Sequence, residues 1–227
     1  MDGTRLPLTS LVKRFLAVTL ASLGLLAAGF PDPVGGDAAR PSSGKERVVL
    51  AGGCFWGMEA VFGALAGTST VVPGYAGGSR LTAHYEIVST GVTGHAESVE
   101  ITYDPARITF ARLLKVYFSV AHDPTELNRQ GPDTGTQYRS AIFYATREQE
   151  RTAEAYIRQL DRAKVFSAPI VTQVVPLTAF YPAEGYHQRY VARHRDDPYV
   201  VDNDLPKLER LREQFPNLVK GDAAQSR

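Results

Sequence analysis

Apolar positions along this chain follow two rhythms. Alternating or continuous apolar runs predict strands at Arg47-Val48-Val49-Leu50-Ala51, Thr70 to Tyr75, Glu97 to Tyr103, Ser140 to Tyr144 and Ile170 to Val175. Gly77-Gly78 ends the second of these and Asp104-Pro105 the third. The helical spacing i, i+3, i+4, i+7 marks Met58, Val61, Phe62 and Leu65, and a second helix face carries Phe110, Leu113, Leu114, Tyr117 and Phe118. Further helices are predicted at Ala153, Tyr156, Ile157 and Leu160, behind a Thr146/Gln149 capping box, and at Leu205, Leu208 and Leu211 around Pro206. Strands interleaved with helices predict a mixed sheet with helices packed against it.

The ends read differently. Residues 1–14 carry Arg5, Lys13 and Arg14, and residues 15–30 are uncharged, with small residues Ala27 and Gly29 at a cleavage position. A basic stretch before an apolar one predicts a secretory signal over 1–30, hence an exported, extracytoplasmic protein. An uncleaved membrane anchor at 15–30 is the second reading, although the span falls short of the roughly 20 residues a membrane helix needs. Residues 31–46, rich in Pro, Gly and Ser, have the composition of a flexible linker. One domain is expected over 47–215, with a tail at 216–227. Net charge is +1 and 22% of residues are charged, so nothing implies a nucleic-acid or acidic-surface partner.

The chemistry concentrates at Gly52-Gly53-Cys54-Phe55-Trp56-Gly57, which holds the only cysteine and the only tryptophan. Cys54 falls where a strand becomes a helix. There the unpaired N–H groups and the helix dipole favour a thiolate, so a lowered thiol pKa is expected. Two consecutive aromatics at a helix start cannot both face one interior, so Phe55 or Trp56 lines a pocket beside the sulfur. An exported chain with one cysteine has no internal disulfide, which makes the thiol reactive or intermolecular. No metal or other cofactor is implied. The five histidines lack tight ligand spacing, and Asp196, Asp197, Asp202 and Asp204 lack that of a calcium loop.

A second stretch, Gly94-His95-Ala96-Glu97-Ser98-Val99, puts Glu97 on the strand face shared with Val99, Ile101 and Tyr103. Burial there would raise its pKa and supply a general acid, whereas a frayed strand edge would leave it an ordinary solvated carboxylate. Periodicity does not separate the two. A third stretch, Gln130 to Ser140, is a glycine-rich polar loop running into a strand, a composition that suits surface turns and functional loops alike.

Gly53-Cys54-Phe55-Trp56-Gly57, Gly94-His95-Ala96-Glu97, His122-Asp123-Pro124, Gly135-Thr136-Gln137-Tyr138-Arg139-Ser140 and Tyr186-His187-Gln188 stand in the order found in A-type peptide methionine sulfoxide reductases. The chain resembles that family from about Arg47 to Tyr190. The resemblance implies a two-layer α+β fold with a mixed, ferredoxin-like sheet, and reduction of the S epimer of methionine sulfoxide, free or in proteins. By motif, Cys54 is the nucleophile, Phe55 and Trp56 seat the substrate methyl, Glu97 protonates the departing oxygen, Tyr85 and Tyr138 donate hydrogen bonds to it, and Asp133 orders the pocket and its water. Many members carry further cysteines that resolve the sulfenic acid internally, and these 227 residues contain none. The implied reductant is therefore external, either a small thiol or a thioredoxin-like or glutaredoxin-like protein. A monomer is expected. Two other classes fit the residues without the resemblance: a thiol hydrolase or acyl transferase pairing Cys54 with His95 or His187, oriented by Asp123 or Asp133, and a binding module with Cys54 inert in its core.

Overall fold

A computed structural model describes residues 30–35 and 44–221. The chain divides into two compact units, Met1–Pro31 and Asp32–Arg227, and the described strands and helices all belong to the second. The signal or anchor expectation, apart from Phe30 and Pro31 at its end, and the last residues of the tail lie outside the described residues. Among the described residues no helix is long and apolar enough to cross a membrane.

The elements in chain order are β1 (Glu46–Ala51), α1 (Phe55–Gly63), β2 (Thr68–Ala76), the single turn α2 (Tyr85–Val88), β3 (Ala96–Tyr103) and α3 (Phe110–Val116), which widens into a π turn at Tyr117–Ala121. A two-residue hairpin, β4 (Arg129–Gln130) and β5 (Asp133–Thr134), precedes β6 (Ala141–Tyr144), α4 (Arg147–Arg162), β7 (Gln173–Pro176) and β8 (Phe180–Pro182). The short α5 (Tyr190–Arg193), a π turn at Val200–Asp204 and α6 (Leu205–Gln214) complete the domain.

The sheet order is β7-β6-β1-β3-β2-β8, with β6 and β7 parallel and every other pair antiparallel. Its central four strands, β6-β1-β3-β2, have the split β-α-β arrangement of ferredoxin-like folds. The predicted α+β class with a mixed sheet is the observed one.

Burial follows the apolar periods. Met58, Val61 and Phe62 of α1, Val99, Ile101 and Tyr103 of β3, and Ala153 and Leu160 of α4 are all at 0% exposure. Thr146 caps α4 by accepting from Gln149 N, while Gln149 Oε1 accepts from Ala145 N rather than from the cap residue itself. The predicted strand Ile170–Val175 is shifted: β7 starts at Gln173, where it meets Ala141, because Val171 N donates instead to Pro124 O and Thr172 Oγ1 bonds Ser140. In the stretch read as linker, Asp32 is held by Lys115 Nζ at 2.6 Å and Val34 N donates to Gln159 Oε1.

Antiparallel pairing of β1 with β3 builds the site. The register sets Leu50 against Val99, so as the chain leaves Ala51 it arrives beside Glu97, 43 residues on from Cys54 in sequence but adjacent in space. Gly53 makes the turn at φ +87°, and a Cβ there would sit 2.5 Å from Gln130 Cγ. That glycine therefore serves both the left-handed backbone and the close approach of the β4 loop.

Candidate active site

Cys54 is the N-cap residue of α1 and is buried. The next residue's amide, Phe55 N, donates to Glu97 Oε2 at 3.2 Å. An unpaired N–H of the helix's first turn thus holds the carboxyl beside the thiol. Glu97 is 2% exposed, which decides between the two sequence readings in favour of a buried acid. Burial pushes its pKa up to about 8, against the pull of the Phe55 amide, and Asp133 nearby adds to the rise. Loss of hydration outweighs the helix terminus, whose effect is about 0.3–2 kcal/mol. At neutral pH Glu97 is mostly a neutral carboxylic acid.

The expected lowering of the Cys54 pKa is reversed. Burial of the sulfur, followed by the carboxylates of Glu97 and Asp204, lifts the thiol well above its ordinary range, while the Trp56 amide and Lys207 pull the other way. The sequence pattern places the thiol correctly at a helix N-terminus but carries no sign that the sulfur is desolvated. The resting state is thiol beside carboxylic acid.

Two phenols complete this wall. Burial and the charges of Glu97 and Cys54 push the Tyr85 phenol up to about 12, and burial with the charges of Glu97 and Asp133 raises that of Tyr138 further. Both remain proton-bearing donors throughout the physiological range. Tyr85 N is tied to Glu184 Oε1 at 3.0 Å, which fixes the α2 turn that carries it.

Phe55 is 1% exposed and Trp56 half-buried, so the two consecutive aromatics do diverge. Trp56 is gripped from three sides. Tyr190 stacks on it at 3.6 Å and 8°, Tyr199 meets it edge-on at 5.8 Å, and its Nε1–H donates to His187 Nδ1 at 3.1 Å. The Tyr199 hydroxyl in turn donates to Asp133, whose place in the site is thus reached through the indole's neighbour. His187 packs on Phe55 at 4.9 Å and Tyr85 at 4.4 Å, joining the apolar seat to the phenol wall. Sequence patterning does not single out His187, Tyr190 or Tyr199 as wall residues. The one signal pointing to them is the sole indole, which needs both a stacking partner and an acceptor when half-buried.

Neither candidate histidine serves as base for Cys54. Both ring nitrogens of His95 are spent on Gly78 N and Ser79 O, and His187 Nδ1 is occupied by the indole. Burial lowers the pKa of both rings, so they are neutral at pH 7. His187 Nε2, which carries that ring's proton, has no partner among the described residues. Asp123 bonds Thr125 in its own loop and orients no histidine. The Cys-His hydrolase reading is therefore not favoured.

Beneath the first turn of α1 lies a buried ion pair, Asp204 to Lys207 at 3.3 Å, with Asp204 at 0% exposure. Gly57 makes room for it, since a Cβ there would overlap Asp204 Oδ1 and come within 2.8 Å of Lys207 Nζ. Gly57→Ala is expected to displace the pair and to destabilise the domain by roughly 2–4 kcal/mol. A urea melt showing less than ~1 kcal/mol lost would contradict this packing argument.

A single thiol, a neutral carboxylic acid and two phenols around a small aromatic seat define a thiol enzyme built on an α+β fold. Among the described residues no cluster of side chains is arranged to hold a metal ion. The sequence model of the peptide methionine sulfoxide reductase family matches residues 46–218, and the chain belongs to that family. It is similar to MsrA 2 of Mesorhizobium japonicum, 54% identical over 79% of this chain and 92% of that protein. MsrA of Thermus thermophilus is 50% identical over 78% and 98%. Among solved structures, the reduced form of Mxr1 from Saccharomyces cerevisiae is 32% identical at a TM-score of 0.61, covering 66% of this chain and 86% of that one. Methionine sulfoxide reductase A of Corynebacterium diphtheriae is 37% identical at 0.59, covering 73% and 82%.

Proposed function

We propose that this chain reduces methionine S-sulfoxide, free or in proteins, by transferring the sulfoxide oxygen to Cys54. The observation that carries the reading is the Glu97 carboxyl, held beside the thiol by Phe55 N and kept protonated by burial. A sulfoxide oxygen leaves only when protonated. Glu97 gives its proton to that oxygen, with Tyr85 and Tyr138 donating hydrogen bonds as negative charge develops there. The Cys54 sulfur attacks the sulfoxide sulfur, and the thiol proton replaces the one Glu97 gave up. The S–O bond to the substrate then breaks as oxygen passes to Cys54. Cys54 ends as a sulfenic acid, methionine leaves as the thioether, and Glu97 ends as it began. Phe55 and the fixed face of Trp56 seat the methyl group, and Asp133 sets Trp56 through Tyr199.

Two equivalents of an external thiol return the sulfenic acid to thiol through a mixed disulfide, releasing water. Cys54 is the only cysteine in the sequence, which supports a small thiol or a thioredoxin-like or glutaredoxin-like protein in that role. Repair of oxidised proteins follows from acting on peptide-bound substrate. We further propose export, on the basic-then-apolar pattern of residues 1–30; the mass of the mature protein from the culture or periplasmic fraction tests it, and a full-length cytosolic product would overturn it.

The activity is tested by steady-state assay with dithiothreitol on each epimer of N-acetyl-methionine sulfoxide. Turnover of the S epimer alone is expected, and equal turnover of both epimers or of neither contradicts the reading. The same assay across pH shows the acid: the rate of oxygen transfer falls as pH rises through about 8, where Glu97 loses its proton. A rate that climbs steadily from pH 7 to 9 would mean that thiol ionisation, not Glu97, governs the step.

A further inference from the structure

Glu59 lies one turn beyond Trp56 on α1, is 8% exposed, and takes no part in the chemistry above. Both of its carboxyl oxygens accept from Arg189 N, at 2.9 and 2.8 Å, and the Tyr190 amide bonds it as well. Arg189 has the left-handed backbone, φ 56° and ψ 34°, a costly conformation for a side chain other than glycine. On either side of this residue stand His187 and Tyr190, the hydrogen-bond acceptor and the stacking face of Trp56. One carboxylate therefore pins the strained joint from which two of the three indole contacts are hung.

We propose that Glu59 is a positioning residue for substrate binding: its carboxylate, by clasping the Arg189 and Tyr190 amides, holds the aromatic wall against Trp56, and protonation of that carboxylate loosens the methyl seat. The inference rests on the methionine sulfoxide reading of the same site. Ionised, the group offers charge-assisted acceptors to both amides. Protonated, one oxygen becomes a donor facing donors, and the remaining bond is roughly half as strong. Burial raises the Glu59 pKa to about 7, against those amides and the charges of Arg189 and Arg193. Arg195, Arg212 and Lys220 line, together with Glu59 and Arg189, a cavity of about 290 Å³, and α1 carries no second ionisable side chain.

Trp56 is the sole tryptophan, so its fluorescence reads the wall without turnover. In the wild type the emission of the free enzyme is expected to shift with a midpoint near pH 7, and KM for the S-sulfoxide to rise roughly tenfold as pH falls through it. Glu59→Gln should show neither pH dependence and should keep the high KM at every pH, with the single-turnover rate at saturating substrate little changed. A general loss of stability would lower Tm without removing a pH midpoint. If Glu59→Gln keeps the wild-type midpoint and KM profile, the proposal is overturned. Where that variant does not fold, Glu97→Gln decides: a midpoint that survives it supports Glu59, and one that disappears with it overturns the proposal. Wild-type turnover of the S epimer, measured alongside, tests the underlying activity separately.

Discussion

Glu97→Gln is expected to slow oxygen transfer to Cys54 by about 10²- to 10⁴-fold while substrate still binds. Glutamine keeps the acceptor for Phe55 N and an N–H where the acid's O–H stood, so the wall is preserved and only proton delivery is lost. The signature is a fall in single-turnover rate with KM little moved, and disappearance of the alkaline limb near pH 8. Stability changes with it in a defined direction. Glu97 is raised from 4.5 unfolded to about 8 folded, so its contribution is full below 4.5 and is lost as pH rises through about 8. The wild-type Tm should therefore drop from pH 5 to 8.5, and that of Glu97→Gln should drop less. Unchanged single-turnover rates in the variant would remove Glu97 from the mechanism.

Cys54→Ser is expected to abolish methionine formation altogether. The reason is chemical and not only one of pKa: the oxygen lost by the substrate must be accepted by the attacking atom, and a serine oxygen accepting it would become a peroxide. No weaker version of the reaction is available to the variant. The thiol is buried at a helix N-cap, a position serine fills well, so the fold should be retained and the S-sulfoxide should still perturb Trp56 fluorescence. Methionine formed by purified Cys54→Ser above the no-enzyme background would place oxygen transfer on another group.

Much of this site was legible in the sequence because its parts sit in strong local signals. The apolar run through Ala51, the two glycines and the apolar period after Cys54 fixed a strand-turn-helix around the thiol, and the alternation of β3 fixed the face of Glu97. What the sequence could not give was distance. The rise of the Cys54 pKa comes first from desolvation and then from Glu97 and Asp204, 43 and 150 residues further on, which no local pattern connects to a helix N-terminus. The same holds for Trp56, whose partners Tyr190 and Tyr199 lie in short turns with no periodicity, and for Glu59, which reads as the polar position of an apolar helix until its amide partners are seen. The β4-β5 hairpin and β8, of two and three residues, are too short to register as alternation. His187 illustrates the reverse error: a histidine in a chemical motif invites a catalytic role, and its Nδ1 instead accepts from the indole.

Cys54 is the proposed acceptor of the oxygen, and the sequence holds no second cysteine to resolve it. A single turnover without reductant tests this directly: reduced enzyme is mixed with N-acetyl-methionine S-sulfoxide, methionine is quantified per enzyme, and Cys54 is followed by dimedone trapping and mass spectrometry. About one methionine per enzyme, with the dimedone adduct on Cys54, is the predicted result. No methionine, or methionine formed while Cys54 stays a free thiol, would contradict the account.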